Sequence, residues 1–351
     1  MGRLASERPS EVAPGRNDQI SSIGGRAAIR RRRASQAWAT LRSGELQIIQ
    51  ATALAKLPWL VHGFSTRTGG KSRLEGLPDG QGVLNLGFTG WDTREDVLAN
   101  RAKLLSALPA ERMKLVTLRQ IHSDVVHVLD AFLDGVQRGL PPAHLAAPGG
   151  LPPDPPSALS GDAVITRASG WLLGVQTADC VPILMADTKQ HAVAAVHAGW
   201  RGTLRRIAAK TLGRMQMAFG TRPEDVVTVL GPAIGRCCYE VGPEVAQAYA
   251  GQFAQAREWF DGPFDQLATG EEPNPLKWLS MAPPGHDPPP PRVRLDLRAA
   301  NRWQLLDAGV KASNIISSEL CTSCRTDLLF SYRREHARTG RLMAIIGLRE
   351  K

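Results

Sequence analysis

The chain has 351 residues, of which 43% are apolar and 22% are charged, so it can bury a sizeable core. It contains no apolar run near the ~18–20 residues of a membrane-spanning helix and no secretory apolar segment near Met1, which predicts a protein without a membrane partner. Five cysteines, an odd number in a chain of this length, do not suit a disulfide scaffold, so we expect a reducing, cytoplasmic location.

The first predicted element is a disordered basic tail over residues 1–45. It holds nine Arg and four acidic residues, which contributes +5 to the chain's net charge of +10. Its Gly/Ser/Arg-rich composition does not suit a packed core, and structure is predicted to begin near Leu46. The remaining positive charge is spread along the chain, whereas a nucleic-acid-binding protein concentrates it on one face. We therefore expect no specific nucleic-acid partner.

Short apolar segments rich in β-branched residues predict strands, and apolar residues at helical spacing predict helices. In chain order the predicted elements are a helix over Arg94–Ala107, strands over Val125–Leu129, Ala163–Thr166, Leu172–Gln176, Val181–Ala186 and Ala192–Val196, a helix over Thr203–Phe219, a strand over Val226–Leu230, and helices over Glu244–Phe253 and Leu297–Ala308. Closely spaced strands with a hairpin at Asp187–Gln190 indicate a mixed β-sheet core flanked by helices, an α/β (α+β) fold.

Two Pro-rich stretches, 140–156 and 281–292, interrupt this pattern. Consecutive prolines lack the donors that a helix or a sheet requires, so both stretches are predicted to be loop insertions. Without them and the tail, residues 46–351 are predicted to form a single domain.

Three residues that can bind metal, His122, Cys180 and His197, each lie where a strand meets a Gly, Pro or Asp turn. Cys180 and His197 end two strands of one predicted meander and are expected to be neighbours. One thiolate and two imidazoles suit Zn²⁺, and three ligands leave a fourth position open, as in catalytic zinc sites. By spacing alone, a lone Cys or His is more often a packing residue, so this signal is weak.

Several motifs, taken together, are specific. They are HGFSTRTGG (62–70), LNLG (84–87), RQIHSD (119–124), GDAVIT (161–166), GVQTADCVPILMAD (174–187), AAVHAGWRGT (194–203), LGPAIGRCCYEVG (230–242) and CTSCRTDLLFSYRREHARTGRLMAIIGL (321–348). In this order they resemble the YfiH/YlmD family, known as laccase-domain or multicopper polyphenol oxidase proteins and now regarded as zinc-dependent purine nucleoside phosphorylases. The resemblance implies a layered YfiH-like fold, and it places the family's metal ligands on His122, Cys180 and His197.

The same resemblance implies phosphorolysis of adenosine, inosine and S-methyl-5'-thioadenosine to the free base and (thio)ribose 1-phosphate, with adenosine deaminase side activity. The expected partners are purine nucleosides and phosphate, the expected cofactor is Zn²⁺ with copper less favoured, and the chain is expected to be a monomer or homodimer. Deamination requires activated water, which an open zinc site can supply.

Substrate contacts are predicted beside these ligands. Arg67 is the candidate phosphate anchor and is included in the catalytic set, because a guanidinium matches phosphate oxygens. Gln120 is expected either to hydrogen-bond the base or ribose or to be a strand-edge amide, and Asn85 either to contact the ligand or to cap its own turn. Arg201 either adds positive charge or forms a salt bridge. Asp179 is expected either to hold a histidine tautomer or to cap a turn.

Other functions remain open from the sequence. A copper polyphenol oxidase is disfavoured because eight histidines in total, without a His-x-His pair, are too few for a trinuclear cluster. A cysteine hydrolase or amidase of peptidoglycan editing would use Cys180 as nucleophile and His197 as base. A non-catalytic binder would depend on residues 1–45.

The other four cysteines are not expected to bind a metal. Cys321-x-x-Cys324 has half the spacing of a zinc knuckle, but the chain has no second C-x-x-C, and the adjacent Cys237 and Cys238 are poorly placed to chelate one ion.

Overall fold

The computed structural model describes residues 37–75, 81–130, 159–268 and 292–350. Stretch 140–156 and all of 281–292 except Arg292 lie outside these ranges. The described strands are β1 Trp38–Ser43, β2 Leu46–Ala51, β3 Leu60–Ser65, β4 Thr68–Ser72, β5 Lys114–Thr117, β6 Val126–Val128, β7 Ala163–Thr166, β8 Trp171–Thr177, β9 Val181–Asp187, β10 Ala192–Ala198, β11 Val226–Leu230, β12 Glu240–Val241, β13 Phe260–Asp261, β14 Val293–Leu295, β15 Ile315–Ser317 and β16 Leu342–Leu348. The described α-helices are α1 Thr52–Ala55, α2 Arg94–Ala107, α3 Trp200–Leu204, α4 Ile207–Phe219, α5 Pro243–Gln252, α6 Phe264–Ala268, α7 Leu297–Asp307 and α8 Tyr332–Glu335.

Two six-stranded mixed sheets form the centre of the fold, which confirms the predicted α/β class. One sheet has the order β1-β2-β3-β16-β8-β5, the other has the order β15-β11-β9-β10-β7-β6, and β12, β14 and β13 form a small third sheet. The meander predicted between Leu172 and His197 is therefore wrong in one respect. β8 pairs with β16, whereas β9 and β10 form their hairpin in the other sheet.

The two large sheets pack face to face, with helices on their outer surfaces. One apolar cluster lies between the sheets and includes Phe64, Val175, Leu184, Val193 and Ile346. Strand β10 alternates, with Val193 and Ala195 in that cluster and Ala194 and Val196 in the cluster shared with α4, α5 and α7. Because both of their faces are covered, β9 and β10 are buried along their whole length, which explains their nearly continuous apolar sequence.

Regular structure begins earlier than expected. β1 starts at Trp38, inside the segment 1–45 that the composition predicts to be disordered, and pairs with β2 in an antiparallel hairpin. Gly44 supplies the positive φ of the turn, and the Trp38 ring packs edge-on against Phe64 at 5.8 Å. The described residues from Trp38 onward belong to one compact unit.

The predicted helix Thr203–Phe219 is two helices. α3 ends at Leu204, Arg206 adopts a left-handed φ of 62°, and α4 begins at Ile207. The side chain of Gln304 on α7 donates to the Thr203 carbonyl oxygen at 2.7 Å, so α7 stabilises the break. None of the helices in the described ranges combines the length and apolarity required to cross a bilayer.

Candidate metal centre and active-site cavity

Strand register brings Cys180 and His197 together. In the β9–β10 hairpin, Ala198 pairs with Val181 and His197 pairs with Pro182. Cys180 directly precedes β9 and His197 lies at the end of β10, so both side chains are delivered to the same end of the sheet. Alternate residues of a strand face the same side, so the His197 side chain faces the same side as Ala195, toward the space between the sheets.

His122 reaches the same place from the loop after β5. Its backbone has a left-handed φ of 57°, an unfavourable conformation for a residue with a Cβ that often marks a functional position. The His122 Nε2 atom lies 4.0 Å from Cys180 Sγ, and the rings of His122 and His197 are 4.9 Å apart at 80°. One ligand atom from each of the three residues lies within 4.8 Å of the others, so they could hold a metal ion.

Local packing also suits this convergence. A Cβ at Gly199 would lie 2.9 Å from Cys180 Sγ and 3.0 Å from His122 Cδ2, so only glycine lets the two ligands approach this closely. His197 is buried, Cys180 is half-buried and His122 is exposed, so the group is open to the surface on one side. One Cys and two His with an open side form a donor set that zinc accepts.

Asp162, which the sequence analysis did not single out, orients both histidines. Its carboxylate accepts from His197 Nδ1 at 2.8 Å and from the backbone N–H of His122 at 3.0 Å. It also accepts from Ile121 N, Ser123 N and Ser123 Oγ. With Nδ1 bound to Asp162, Nε2 of His197 is the ring atom left for a ligand. The Asp of GDAVIT, directly before a buried strand, is the signal that could have identified this residue.

Asp179 does not hold a histidine, because its own partners lie elsewhere. Its carboxylate accepts from Thr322 Oγ1 at 2.6 Å, Ser331 Oγ at 2.7 Å and the backbone N–H of Arg333 at 2.6 Å. Its φ of 100° is strained, and these bonds hold it. Asp179 therefore fixes the loop before Cys180 to the C-terminal segment.

Charge within the cluster changes its pKa values. Burial opposes the thiolate of Cys180, but the positive charge of His197 and the hydrogen bond with His122 outweigh it and lower the Cys180 pKa to about 6. Burial disfavours protonated His197, but Cys180 and Asp162 raise its pKa to about 9. Hydrogen bonds from His197 and Ser123 overcome burial and lower the Asp162 pKa to about 2. The cluster thus favours a thiolate, the form that binds metals.

The three residues lie on the wall of a cavity of about 600 Å³, a size typical of small-molecule sites. Gln120 and Arg201, both predicted site residues, also line it. The other polar and aromatic residues of the wall are Gln176, Thr177, Asp179, Trp200, Tyr239, Tyr332, Arg333 and Arg341. The cavity therefore combines a cluster of potential metal ligands with three arginines and several aromatic rings.

Two predicted substrate residues lie away from this cavity. Arg67 lines a second cavity, where it pairs with Glu335 at 2.6 Å and lies over the Phe330 ring at 4.7 Å. Asn85 is buried and bonds the backbone, with its Oδ1 accepting from Arg341 N at 2.8 Å. Asn85 thus supports an arginine of the cavity wall.

Gln120 lies in the cavity wall, but its amide is already bonded. Its Nε2 donates to the Gln176 carbonyl oxygen at 2.7 Å, and its Oε1 accepts from Gln176 N at 2.7 Å. This reciprocal pair ties the loop carrying His122 to β8.

The structure brings together the remaining four cysteines, which the sequence analysis expected to be poorly placed to share one ion. Cys237, Cys238, Cys321 and Cys324 form a second group whose sulfur atoms all lie within 4.8 Å of one another. All five cysteines of the chain therefore belong to two clusters, and both clusters could hold a metal ion.

Residues 61–349 match the family described as multi-copper polyphenol oxidoreductase laccase. The chain is 35% identical over 294 residues to purine nucleoside phosphorylase YlmD of Geobacillus stearothermophilus, covering 83% of this chain and 91% of that protein. It is 33% identical to adenosine deaminase RL5 of an unknown prokaryotic organism, covering 80% and 91%.

Solved structures share the fold. The crystal structure of YlmD from Geobacillus stearothermophilus superposes with a TM-score of 0.66 at 30% identity and covers 90% of this chain and all of that one. The hypothetical protein YfiH of Bacillus licheniformis gives a TM-score of 0.67 at 28% identity, covering 89% and 99%.

Proposed function

Since the chain belongs to the multi-copper polyphenol oxidoreductase laccase family, we propose that it is a zinc-dependent purine nucleoside phosphorylase. Its substrates would be adenosine, inosine and S-methyl-5'-thioadenosine with phosphate, and adenosine deamination would be a side activity. The observation that carries the proposal is the convergence of His122, Cys180 and His197 on one wall of a cavity that also contains three arginines. Relatives named purine nucleoside phosphorylase and adenosine deaminase support the substrate class.

His122, Cys180 and His197 would hold the zinc ion. When bound there, zinc would supply Lewis-acid chemistry by polarising an oxygen placed beside it. Asp162 keeps His197 oriented with Nε2 toward the site, and the glycine at 199 lets the other two ligands approach. The half-open position of the group leaves room for one further ligand.

The arginines of the cavity provide the phosphate-binding charge in this proposal. Arg201, Arg333 and Arg341 line the same cavity as the metal ligands, whereas Arg67 lies in another. Their guanidinium groups match phosphate oxygens and would hold the nucleophile beside the anomeric carbon of the sugar. The negative phosphate that these arginines hold would also stabilise the cation-like sugar of the transition state.

The aromatic rings of the wall suit a purine. Tyr332 is 55% exposed, and Tyr239 and Trp200 face the same cavity. A planar base can stack on such rings while its edge bonds the polar residues between them. Arg333 lies over the Tyr239 ring at 5.2 Å, so the groups proposed to bind the base and the phosphate would be adjacent.

The test is incubation of the full chain with a panel of purine nucleosides, with and without phosphate. We expect phosphate-dependent release of free base and ribose 1-phosphate, detected by chromatography, and loss of product for His122→Ala and Cys180→Ala. Chelation should abolish activity and zinc should restore it. Product that forms equally without phosphate, or an undiminished rate for both variants, would overturn the proposal.

A second candidate is supported by one arrangement. Cys180, His197 and Asp162 form a Cys–His–Asp series in which Asp162 orients the imidazole beside the sulfur, as in cysteine hydrolases. The alternative is thus a cysteine hydrolase or amidase, for example in peptidoglycan editing. Alkylation would abolish this activity while chelation would leave it intact, which separates it from the zinc-dependent reaction.

A further inference from the structure

The four cysteines outside the cavity have the spacing of a tetrahedral thiolate site. Cys324 Sγ lies 3.6 Å from Cys237 Sγ and 3.4 Å from Cys238 Sγ, and all four sulfurs lie within 4.8 Å of one another. Zinc–sulfur bonds of ~2.3 Å in a tetrahedron place sulfurs about 3.8 Å apart. A disulfide requires ~2.05 Å between two sulfurs, which is far shorter than either separation.

Two loops that are distant in sequence supply these ligands. Loop 231–239 follows β11 and loop 318–331 follows β15, and the two are joined by a parallel bridge between Ala233 and Cys321. Thr322 N donates to the Ala233 carbonyl oxygen at 3.1 Å across this bridge. The sequence alone cannot reveal the cluster, because only this pairing brings both cysteine pairs together.

Turn geometry explains how adjacent cysteines can face one ion. The backbone N–H groups of Cys238 and Tyr239 both donate to the Gly235 carbonyl oxygen, at 2.9 and 3.0 Å, so Cys237 and Cys238 lie in a tight turn. On the other loop, Arg325 N donates to the Cys321 carbonyl oxygen at 3.0 Å and closes the C-x-x-C turn. Together the two turns place all four sulfurs within 4.8 Å of one another.

Glycine 235 is adapted to the cluster. Its N–H donates to Cys321 Sγ at 3.1 Å, the kind of bond that stabilises a sulfur bearing negative charge. A Cβ at this position would lie 3.1 Å from Cys237 Sγ and 3.2 Å from both Cys321 Cβ and Arg298 Nη2. The guanidinium of Arg298 therefore lies close to this turn, and it also donates to the Leu320 carbonyl oxygen at 3.2 Å, directly before Cys321.

We propose that Cys237, Cys238, Cys321 and Cys324 bind a structural zinc ion as four thiolates. Four sulfur ligands leave no open position, so this ion would stabilise structure and take no part in the reaction. It would join the two loops that brace the active-site cavity. Ile234 N donates to the Asp179 carbonyl oxygen at 2.8 Å, and Thr322 bonds the Asp179 carboxylate, so both loops hold the segment before Cys180.

The decisive sample is the full chain with His122→Ala and Cys180→Ala, which removes the other candidate site. After desalting, mass spectrometry of metals should find about one zinc ion per chain. Addition of Cys237→Ser and Cys324→Ser, two exposed positions, should reduce zinc to near zero. Ser323→Ala, which lies between Cys321 and Cys324, is the matched control and should retain the ion.

Cobalt substitution supplies a second readout that does not depend on activity. Co²⁺ bound to the His122→Ala/Cys180→Ala chain should give the intense sulfur-to-metal absorption of a tetrathiolate site. A chain without zinc or this absorption would overturn the proposal, as would iron in place of zinc. If thiol titration of the denatured, zinc-free chain found two free thiols fewer than the chain has cysteines, two cysteines would form a disulfide, and this result would also overturn the proposal. These outcomes require no variant of the four cysteines, so a folding failure of the Ser variants leaves the test intact.

Discussion

The carboxylate of Asp162 is bonded to the ring of His197 at Nδ1, 2.8 Å away, and to the backbone of His122 at 3.0 Å. One buried side chain directly before β7 thus fixes two of the three candidate ligands, His122 from a loop and His197 from the end of β10. Its lone pairs are occupied by donors alone, so an ionised carboxylate is the only form that satisfies every partner.

Asp162→Asn should therefore weaken metal binding without removing a ligand. The amide nitrogen would face N–H donors, and the loss of charge would release the orientation of His197. We expect a ~10–100-fold lower zinc affinity, measured by competition with a chelating dye. We also expect a loss of ~2–3 kcal/mol in the free energy of unfolding.

Asp130→Asn is the matched control for this substitution. Asp130 is near the other end of β7, where it accepts from Thr166 Oγ1 at 2.6 Å and from Arg167 N. Its substitution should lower stability without changing zinc affinity. Equal loss of affinity in both variants would show that Asp162 acts only through stability.

Arg341 offers a test of how the cavity binds phosphate. Its backbone is held by Asn85 and its side chain lines the cavity with the metal ligands. Arg341→Met removes the charge and keeps much of the apolar stem, so we expect the KM for phosphate to rise ~10–100-fold, or about 1.4–2.8 kcal/mol. The KM for nucleoside should change little, as measured by steady-state kinetics.

Arg334→Met is the corresponding control, because Arg334 lines the second cavity that contains Arg67. It should leave the KM for phosphate unchanged. If Arg334→Met and Arg341→Met raised that constant equally, phosphate would be bound through general charge and not in the cavity beside Cys180.

Sequence reasoning succeeded where a residue's role depends on local pattern. The apolar segments Ala163–Thr166 and Val226–Leu230 are strands with the predicted bounds, and α2 spans the predicted Arg94–Ala107. These elements are bounded by turns or caps, such as Thr93 accepting from Asp96 N.

Prediction from the sequence failed where pairing between distant segments determines the structure. β8 is not part of the sheet that contains the β9–β10 hairpin, because β8 pairs with β16, a strand far along the chain. The cysteine cluster likewise depends on the bridge between Ala233 and Cys321. Neither pairing has a signal in the local sequence. Asp162 was missed because an Asp before a strand usually indicates a turn.

The first strand makes the boundary of the domain testable. Deletion of residues 1–37 keeps β1, whereas deletion of residues 1–45 removes it and leaves β2 as an edge strand that pairs only with β3. We expect the longer deletion to lower the free energy of unfolding by about 1–3 kcal/mol relative to the shorter one, because the Trp38–Phe64 contact and the hairpin are lost. Urea denaturation measures the difference. Equal stabilities would mean that the folded domain begins at Leu46.

His62 should make stability depend on pH. It is buried on β3, and burial lowers its pKa to about 4 from 6.5. Its Nε2 accepts from Ala51 N at 3.1 Å, which requires an unprotonated nitrogen. Between pH 6.5 and 4 the unfolded chain binds a proton that the folded chain does not, so stability is fully present above pH 6.5 and falls by ~3 kcal/mol as the pH approaches 4.

His62→Gln keeps an acceptor for Ala51 and removes the titration, so its free energy of unfolding should fall less over this range. Urea denaturation at a series of pH values measures the difference between the two slopes. Parallel curves for wild type and His62→Gln would contradict the prediction, because every other titrating group is common to both and cancels in the comparison.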